Sequence, residues 1–368
     1  MSGRIVLFGA TGYTGELTAR ALVDRGVRPV LAARNAERLD RLAGELGGLE
    51  SRLADVARPA TLNGLVERGD VLISTVGPFA RLGGPAVAAA IASGAHYLDS
   101  TGEGHFIRTV FERHGPAAQA AGCGLLTAFG YDWVPGNLAG ELALREAGEA
   151  ATRVDIGYFT TGSAGTSAIS GGTRATLMES MGAPSYAYRG GRLVQEPAAR
   201  RVRSFDLGRR RSDAISVATS EPFALPRLHP GLRDVGVYLG WAGPLSRAVQ
   251  AMSAATSLIG RVPGARDALR ALLRPLASTG STGGPDAEAR AKVGSLVVAE
   301  AFDARGTRLS AVRLEGVNPY DFTAAVLAWG AQTAATGGVQ GTGALGPVDG
   351  FGLEALVRGC SEAGISRT

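Results

Sequence analysis

Seven residues near the N-terminus, Gly9-Ala10-Thr11-Gly12-Tyr13-Thr14-Gly15, restrict this chain more than any other feature. They follow directly on an apolar run, Ile5-Val6-Leu7-Phe8, and open a stretch of helical spacing from Tyr13 to Asp24. A glycine turn between a buried strand and a helix lets backbone approach a pyrophosphate, which the helix N-terminus then stabilises. The spacing is Gly-x-x-Gly-x-x-Gly rather than Gly-x-Gly-x-x-Gly, so the strand–turn–helix context is what makes it a dinucleotide signal. Gly9, Thr11, Gly12, Tyr13, Thr14 and Gly15 are the candidate contacts.

The pattern that follows agrees with such a turn. Strand-like runs at Pro29–Ala32, Leu49–Ala54, Val71–Ser74, His96–Leu98 and Gly124–Thr127 alternate with helical stretches. Strands alternating with helices predict a parallel sheet covered on both faces. Beyond Trp133 the pattern becomes strand-rich, with a clear hairpin formed by Ala291–Phe302 and Thr307–Val317 around Asp303-Ala304-Arg305-Gly306. The expected fold class is α/β: an N-terminal Rossmann domain with a doubly wound parallel sheet, then a second, mixed and largely antiparallel α/β domain. The expected division is residues 1–130 for the nucleotide domain, 131–318 for a substrate and dimerisation domain, and 319–368 for helices that pack back on the first domain.

The end of the second strand selects the nucleotide. An NAD site places Asp or Glu there to hold the ribose hydroxyls. This chain has Ala33, Arg34 and Asn35, with Arg38 one helical turn on. A guanidinium fork suits a 2′-phosphate, so the expected cofactor is NADP(H). Asp55 and Val56, after the third strand, fall beside the adenine, or Asp55 caps the turn ahead of Pro59. Thr75, Val76, Gly77, Pro78 and Phe79 leave the end of the fourth strand, where ligands of open parallel sheets bind, and Phe79 is a candidate wall for the nicotinamide. Asp99 and Thr101 leave the next strand end, as further cofactor contacts or as helix caps. Gly130-Tyr131-Asp132-Trp133 crosses into the second domain, and Tyr131 and Asp132 are the candidate proton donors, with a helix-capping role for Asp132 as the alternative.

Composition removes several function classes. Of 38 Lys plus Arg, only Lys292 is lysine, and the residue four before it is Glu288. The Tyr-x-x-x-Lys pair of short-chain dehydrogenases is therefore absent. Two cysteines leave no disulfide framework, and neither has a neighbouring base to make it a nucleophile. Aromatic residues are 6% of the chain, so stacking on nucleic acid is not expected despite a formal charge of +5. The arginines between 200 and 211 read as a solvated hairpin face, with steering of an anionic carrier-bound substrate as the alternative. The segment 245–273 reads as amphipathic helix for packing or a dimer contact, without stable membrane insertion. No leader sequence is apparent, so a cytoplasmic homo-oligomer, in simplest form a dimer, is expected.

The segments GATGYTG (9–15), STVGPFARLGGPAVAAA (74–90), GAHYLDSTGE (94–103) and FGYDWVPGN (129–137), in that order, resemble the saccharopine dehydrogenase-like oxidoreductases. Bacterial members of that family include trans-acting enoyl reductases. The resemblance is strong over residues 1–140 and returns more loosely at 337–352. It implies a Rossmann NADP domain, a mixed second domain, and reduction of C=C or C=N bonds in a small-molecule substrate. Where such proteins often read GFDS, this chain has Tyr131-Asp132-Trp133, which adds bulk beside the expected site. The expected function is hydride transfer from NADPH to a conjugated C=C bond of a natural-product- or lipid-like biosynthetic intermediate. Imine reduction and a non-catalytic nucleotide-binding scaffold are the rivals.

Overall fold

The structure, a computed structural model, describes residues 2–162, 185–208, 210–240, 245–259 and 283–368. Three strands of its first sheet are runs too apolar to face water on either side. Strands β1 (Ile5–Phe8), β2 (Val30–Ala33) and β4 (Val71–Ser74) are buried at every position, as a parallel sheet covered by helices requires. With β3 (Ser51–Leu53), β5 (His96–Asp99) and β6 (Gly124–Leu126) they run parallel, in the order β6-β5-β4-β1-β2-β3. This is the doubly wound order of dinucleotide-binding sheets, with its reversal between β1 and β4.

The covering helices follow from their apolar spacing. Helix Tyr13–Asp24 buries Gly15, Thr18, Ala19 and Leu22, and helix Ala36–Glu45 buries Leu39, Leu42 and Ala43. The third strand is shorter than the expected Leu49–Ala54, and Pro59 opens only a 3-10 turn, Pro59–Leu62. The C-terminal residues belong to the same unit. Trp329, on helix Pro319–Ala335, lies parallel to Phe129 at 6.4 Å and edge-on to Phe351 at 5.0 Å. Gly3 N–H donates to Ala335 O at 2.8 Å. The glycine-rich stretch after this helix also adds a seventh parallel strand, Gly343–Ala344, beside β6.

The second sheet is mixed. In chain order its strands include β7 (Arg153–Gly162), β8 (Ser185–Arg189), β9 (Arg192–Glu196), β10 (Val202–Asp206), β11 (Arg211–Ser216), β12 (Asp234–Leu239), β13 (Val293–Phe302) and β14 (Arg308–Gly316), with a ninth strand at Ile365–Arg367. They lie in the order β10-β11-β12-β7-β13-β14, with the β8–β9 hairpin attached to β12. Among β7 to β14 every pair is antiparallel except β12 with β7. Phe159, Phe205, Leu207, Ala214, Tyr238, Leu296 and Val298 form a buried cluster on this sheet. Two arginines of the 200–211 segment are committed to carboxylates: Arg201 to Glu196, and Arg203 to Asp155 and, at 2.6 Å, to Glu300. Arg209 lies outside the described residues, as does the segment 245–273 beyond helix Ser246–Ile259.

By contacts the chain divides into two compact units. One comprises Met1–Gly102, Phe106–Leu138 and Val317–Ser366; the other comprises Glu103–His105, Ala139–Gly316 and Arg367–Thr368. Among the described residues, no helix is long and apolar enough to cross a membrane. Cys123 and Cys360 are free and buried, and burial pushes both thiols up, away from the thiolate a nucleophile needs.

Candidate active site

Every candidate site residue falls in the first unit, at or just beyond the carboxyl ends of its strands. The glycine turn leaves β1 beside the strand reversal. Gly9 has φ +91°, a conformation only glycine adopts cheaply, and its N–H donates to Ala32 O at 2.8 Å. A Cβ at Gly9 would lie 2.6 Å from Thr75 Oγ1, and one at Gly15 would lie 2.1 Å from Gly9 O. These two glycines are thus demanded by the protein's own packing. At Gly12 a Cβ meets nothing nearer than Gly9 O, at 3.3 Å. Internal packing therefore gives a weaker reason for glycine there, whereas close approach of a pyrophosphate gives a strong one.

Gly12 is also the N-cap of helix Tyr13–Asp24 and provides no side-chain cap. Among the first-turn residues, Thr14 accepts a bond from Thr18 Oγ1 at 2.8 Å, and Tyr13 packs edge-on to Tyr320 with centroids 5.2 Å apart. Thr75 stitches the turn to β4: its N–H donates to Phe8 O at 2.9 Å and its hydroxyl to Gly9 O at 3.1 Å. A dinucleotide fits this arrangement, because an uncapped helix end and a side-chain-free floor meet at the strand reversal.

The end of β2 divides its candidates by role. Ala33 is buried in the strand. Asn35 caps helix Ala36–Glu45, its Oδ1 accepting the Arg38 N–H at 2.9 Å. Arg38 reaches back to the glycine turn, donating to Thr11 O at 2.8 Å and pairing with Glu16 at 3.5 Å. Arg34 alone is exposed with no hydrogen bond or ion pair to any described residue. It is the candidate cation for a 2′-phosphate. Arg34→Ala should weaken NADPH binding by about 10–100-fold, the worth of a charge-assisted contact, and change NADH binding little. Equal losses for the two nucleotides, measured by fluorescence titration, would count against that role.

Other candidates are held by local structure. Asp55 accepts the Ala57 N–H at 3.0 Å and lies 3.7 Å from Arg58, while Val56 is half-buried beside it. Val76 and Pro78 are half-buried and Gly77 is exposed in the loop leaving β4. Phe79 is buried, its ring 5.6 Å from that of Phe106. Asp99 is fully buried and accepts from Thr101 N–H at 2.9 Å, Thr127 Oγ1 at 2.8 Å and Ala128 N–H at 2.9 Å. Burial lifts its carboxyl to about 6 against the opposing pull of those donors. Asp99 therefore bolts the end of β5 to the loop leaving β6. Its partner Thr127 carried no signal in the sequence.

That loop presents the two candidate proton donors differently. Tyr131 is 2% exposed, with its ring edge-on to Phe322 at 6.5 Å. Asp132 retains some exposure, and it makes no hydrogen bond or ion pair with any described residue. It does not cap the following helix: Trp133 N–H donates to Ala128 O and Val134 N–H to Gly130 O. A Cβ on Gly102 would lie 2.8 Å from Asp132 Oδ2, so a glycine there leaves the carboxylate its room. Burial alone raises this carboxyl from 3.8 to about 7. An acid with that value holds and releases a proton at neutral pH, which is what general acid catalysis asks of it.

Comparison with known proteins decides what the glycine turn belongs to. Residues 5–123 match the family of the saccharopine dehydrogenase NADP binding domain. Over those residues the chain is similar to that family. The cofactor of the NADP-binding domain is accordingly NADP(H). A trans-acting enoyl reductase of Mycobacterium ulcerans is 36% identical over 205 residues, covering 52% of this chain and 48% of that protein. One from Mycobacterium leprae is 41% identical over 140 residues, covering 36% of this chain and 34% of its own length. The chain thus spans about half, or less, of the length of these curated relatives. Apo saccharopine dehydrogenase (L-Glu forming) from Saccharomyces cerevisiae matches 100% of this chain and 99% of its own, with a TM-score of 0.60 and 13% identity. At that identity the likeness is one of fold.

Proposed function

We propose that the chain is an NADPH-dependent oxidoreductase that reduces the conjugated C=C bond of an enoyl compound, with Asp132 as its general acid. The observation that carries this reading is the unpartnered Asp132 carboxyl, raised to about 7, beyond the carboxyl end of the sheet whose glycine turn takes NADP(H). The identity with trans-acting enoyl reductases supports C=C over C=N as the bond reduced. Bound NADPH supplies the hydride. Reduction at the β-carbon leaves an enolate that needs one proton at its α-carbon, and Asp132 Oδ2 is the atom that provides it, to be reprotonated from solvent. Tyr131, packed against Phe322, keeps water from the back of the loop.

The substrate we infer is a small-molecule biosynthetic intermediate, natural-product- or lipid-like, met in the cytoplasm either free or on a carrier. The second unit is its proposed binding domain, and a homodimer is the proposed assembly. The test is NADPH consumption in the presence of α,β-unsaturated thioesters, enones and cyclic imines, with Asp132→Asn as control. Turnover of the first two classes alone supports the enoyl reading, and turnover of imines alone would replace it. Binding of NADPH without consumption by any of them would leave a scaffold.

A further inference from the structure

The loop that carries Asp132 is clamped from two sides. At its start, Asp99 takes Thr127 Oγ1 and the Ala128 N–H through its carboxylate, and its backbone oxygen takes the Phe129 N–H at 2.7 Å. At its middle, Tyr131 N–H donates to Thr323 Oγ1 at 3.0 Å, and that hydroxyl donates in turn to Pro319 O at 2.7 Å. The Thr323 hydroxyl is thereby oriented, with its lone pair facing the loop. The same residue presses on the neighbouring peptide, since a Cβ on Gly130 would lie 2.9 Å from Thr323 Cγ2. The first clamp ends at Phe129 and the second at Tyr131, and Asp132 is the next residue.

We propose that Thr323 is the positioning residue for Asp132, its hydroxyl fixing the Tyr131 amide so that the carboxyl stays against Gly102. This inference rests on Asp132 being the general acid. The geometry gives Thr323 no contact with the Asp132 carboxyl itself, so its action is through the backbone. A free Tyr131 amide would let the loop turn its carboxyl toward water, and solvation favours the ionised form. The second residue of the helix contributes nearby: Tyr320 packs on Tyr13 of the glycine turn. One helical turn therefore supports the nucleotide loop through Tyr320 and the acid loop through Thr323, which makes Tyr320 a useful control.

The test needs no substrate. Titration of the Asp132 carboxyl by isotope-edited NMR of labelled aspartate, assigned by its loss in Asp132→Asn, reads the positioning directly. In Thr323→Val the carboxyl should titrate lower than in the unmodified protein by about one pH unit or more. Thr323→Ser, which restores the hydroxyl, should return it to the unmodified value, and Tyr320→Leu should leave it unchanged. NADPH affinity should be unaffected by Thr323→Val. If Asp132 titrates identically in the unmodified, Val and Ser proteins, Thr323 has no positioning role. A Ser variant in which Asp132 titrates about one pH unit low would assign the effect to packing of the Thr323 methyl and overturn the hydrogen-bond proposal, even if the Val protein did not fold. An ordinary carboxylate value in the unmodified protein would instead remove the general acid itself, and so separates the two readings.

Discussion

Asp132→Asn is expected to lower turnover by about 10²–10⁴-fold, the usual worth of a positioned general acid, while NADPH affinity stays nearly unchanged. The split follows from geometry, because Asp132 lies beyond β6 and the nucleotide turn leaves β1. The same substitution should stabilise the fold, with a definite dependence on pH. The Asp132 carboxyl titrates at about 7 folded and near its ordinary 3.8 unfolded. It therefore binds its proton more tightly in the native state, and stability falls as pH rises from about 4 to 7. Below that window the acid is protonated in both states and costs nothing; above it the loss is complete. Asparagine carries no such loss. Discounting for the solvent that reaches Asp132, the gain above pH 7 is about 2 kcal/mol, read as a Tm rise of roughly 2–4 °C per kcal/mol. Equal melting temperatures for the two proteins at pH 8, with equal turnover, would show that the carboxyl is neither buried nor catalytic. In the unmodified enzyme, turnover should decline above pH 7 as the acid loses its proton.

The second large effect separates two glycines three residues apart. Gly15→Ala places a methyl 2.1 Å from Gly9 O, which neither backbone can avoid without reopening the turn. It should cost about 2 kcal/mol or more of stability and abolish NADPH binding with it. Gly12→Ala meets only a 3.3 Å contact with the same oxygen. That protein should fold with little loss, yet bind NADPH at least about tenfold more weakly, because the methyl occupies the approach of the pyrophosphate. Thermal melting and nucleotide titration of both variants check the contrast. Unaltered NADPH affinity in Gly12→Ala would mean that the nucleotide does not rest on this turn.

These residues also mark how far the sequence alone can be read. The glycine turn and the buried runs at Ile5–Phe8 and Val71–Ser74 were legible because a covered parallel strand is apolar throughout and a nucleotide turn has its own spacing. The hairpin of β13 and β14 was legible for a similar local reason, since Gly306, at φ +84°, closes its turn. Roles set by distant neighbours were not. Arg34, Asn35 and Arg38 look equivalent as a string, but one pairs with no described residue, one caps a helix and one reaches back to the Thr11 carbonyl. Tyr131 and Asp132 are adjacent in sequence, and only the packing of Phe322 and the room beside Gly102 tell them apart. Thr323 lies nearly two hundred residues from the amide it holds, and Gly343–Ala344 is too short a strand for any periodicity to reveal.

Hydride delivery to a conjugated double bond can be followed by isotope transfer. The protein would be incubated with NADPH deuterated at the nicotinamide carbon and an α,β-unsaturated thioester of N-acetylcysteamine, and the product analysed by mass spectrometry and NMR. One deuterium at the β-carbon for each NADPH consumed, solvent hydrogen at the α-carbon, and a strongly reduced rate in Asp132→Asn are the expected results. Tight NADPH binding with no label in the thioester, and none in an enone or imine offered in its place, would contradict hydride delivery.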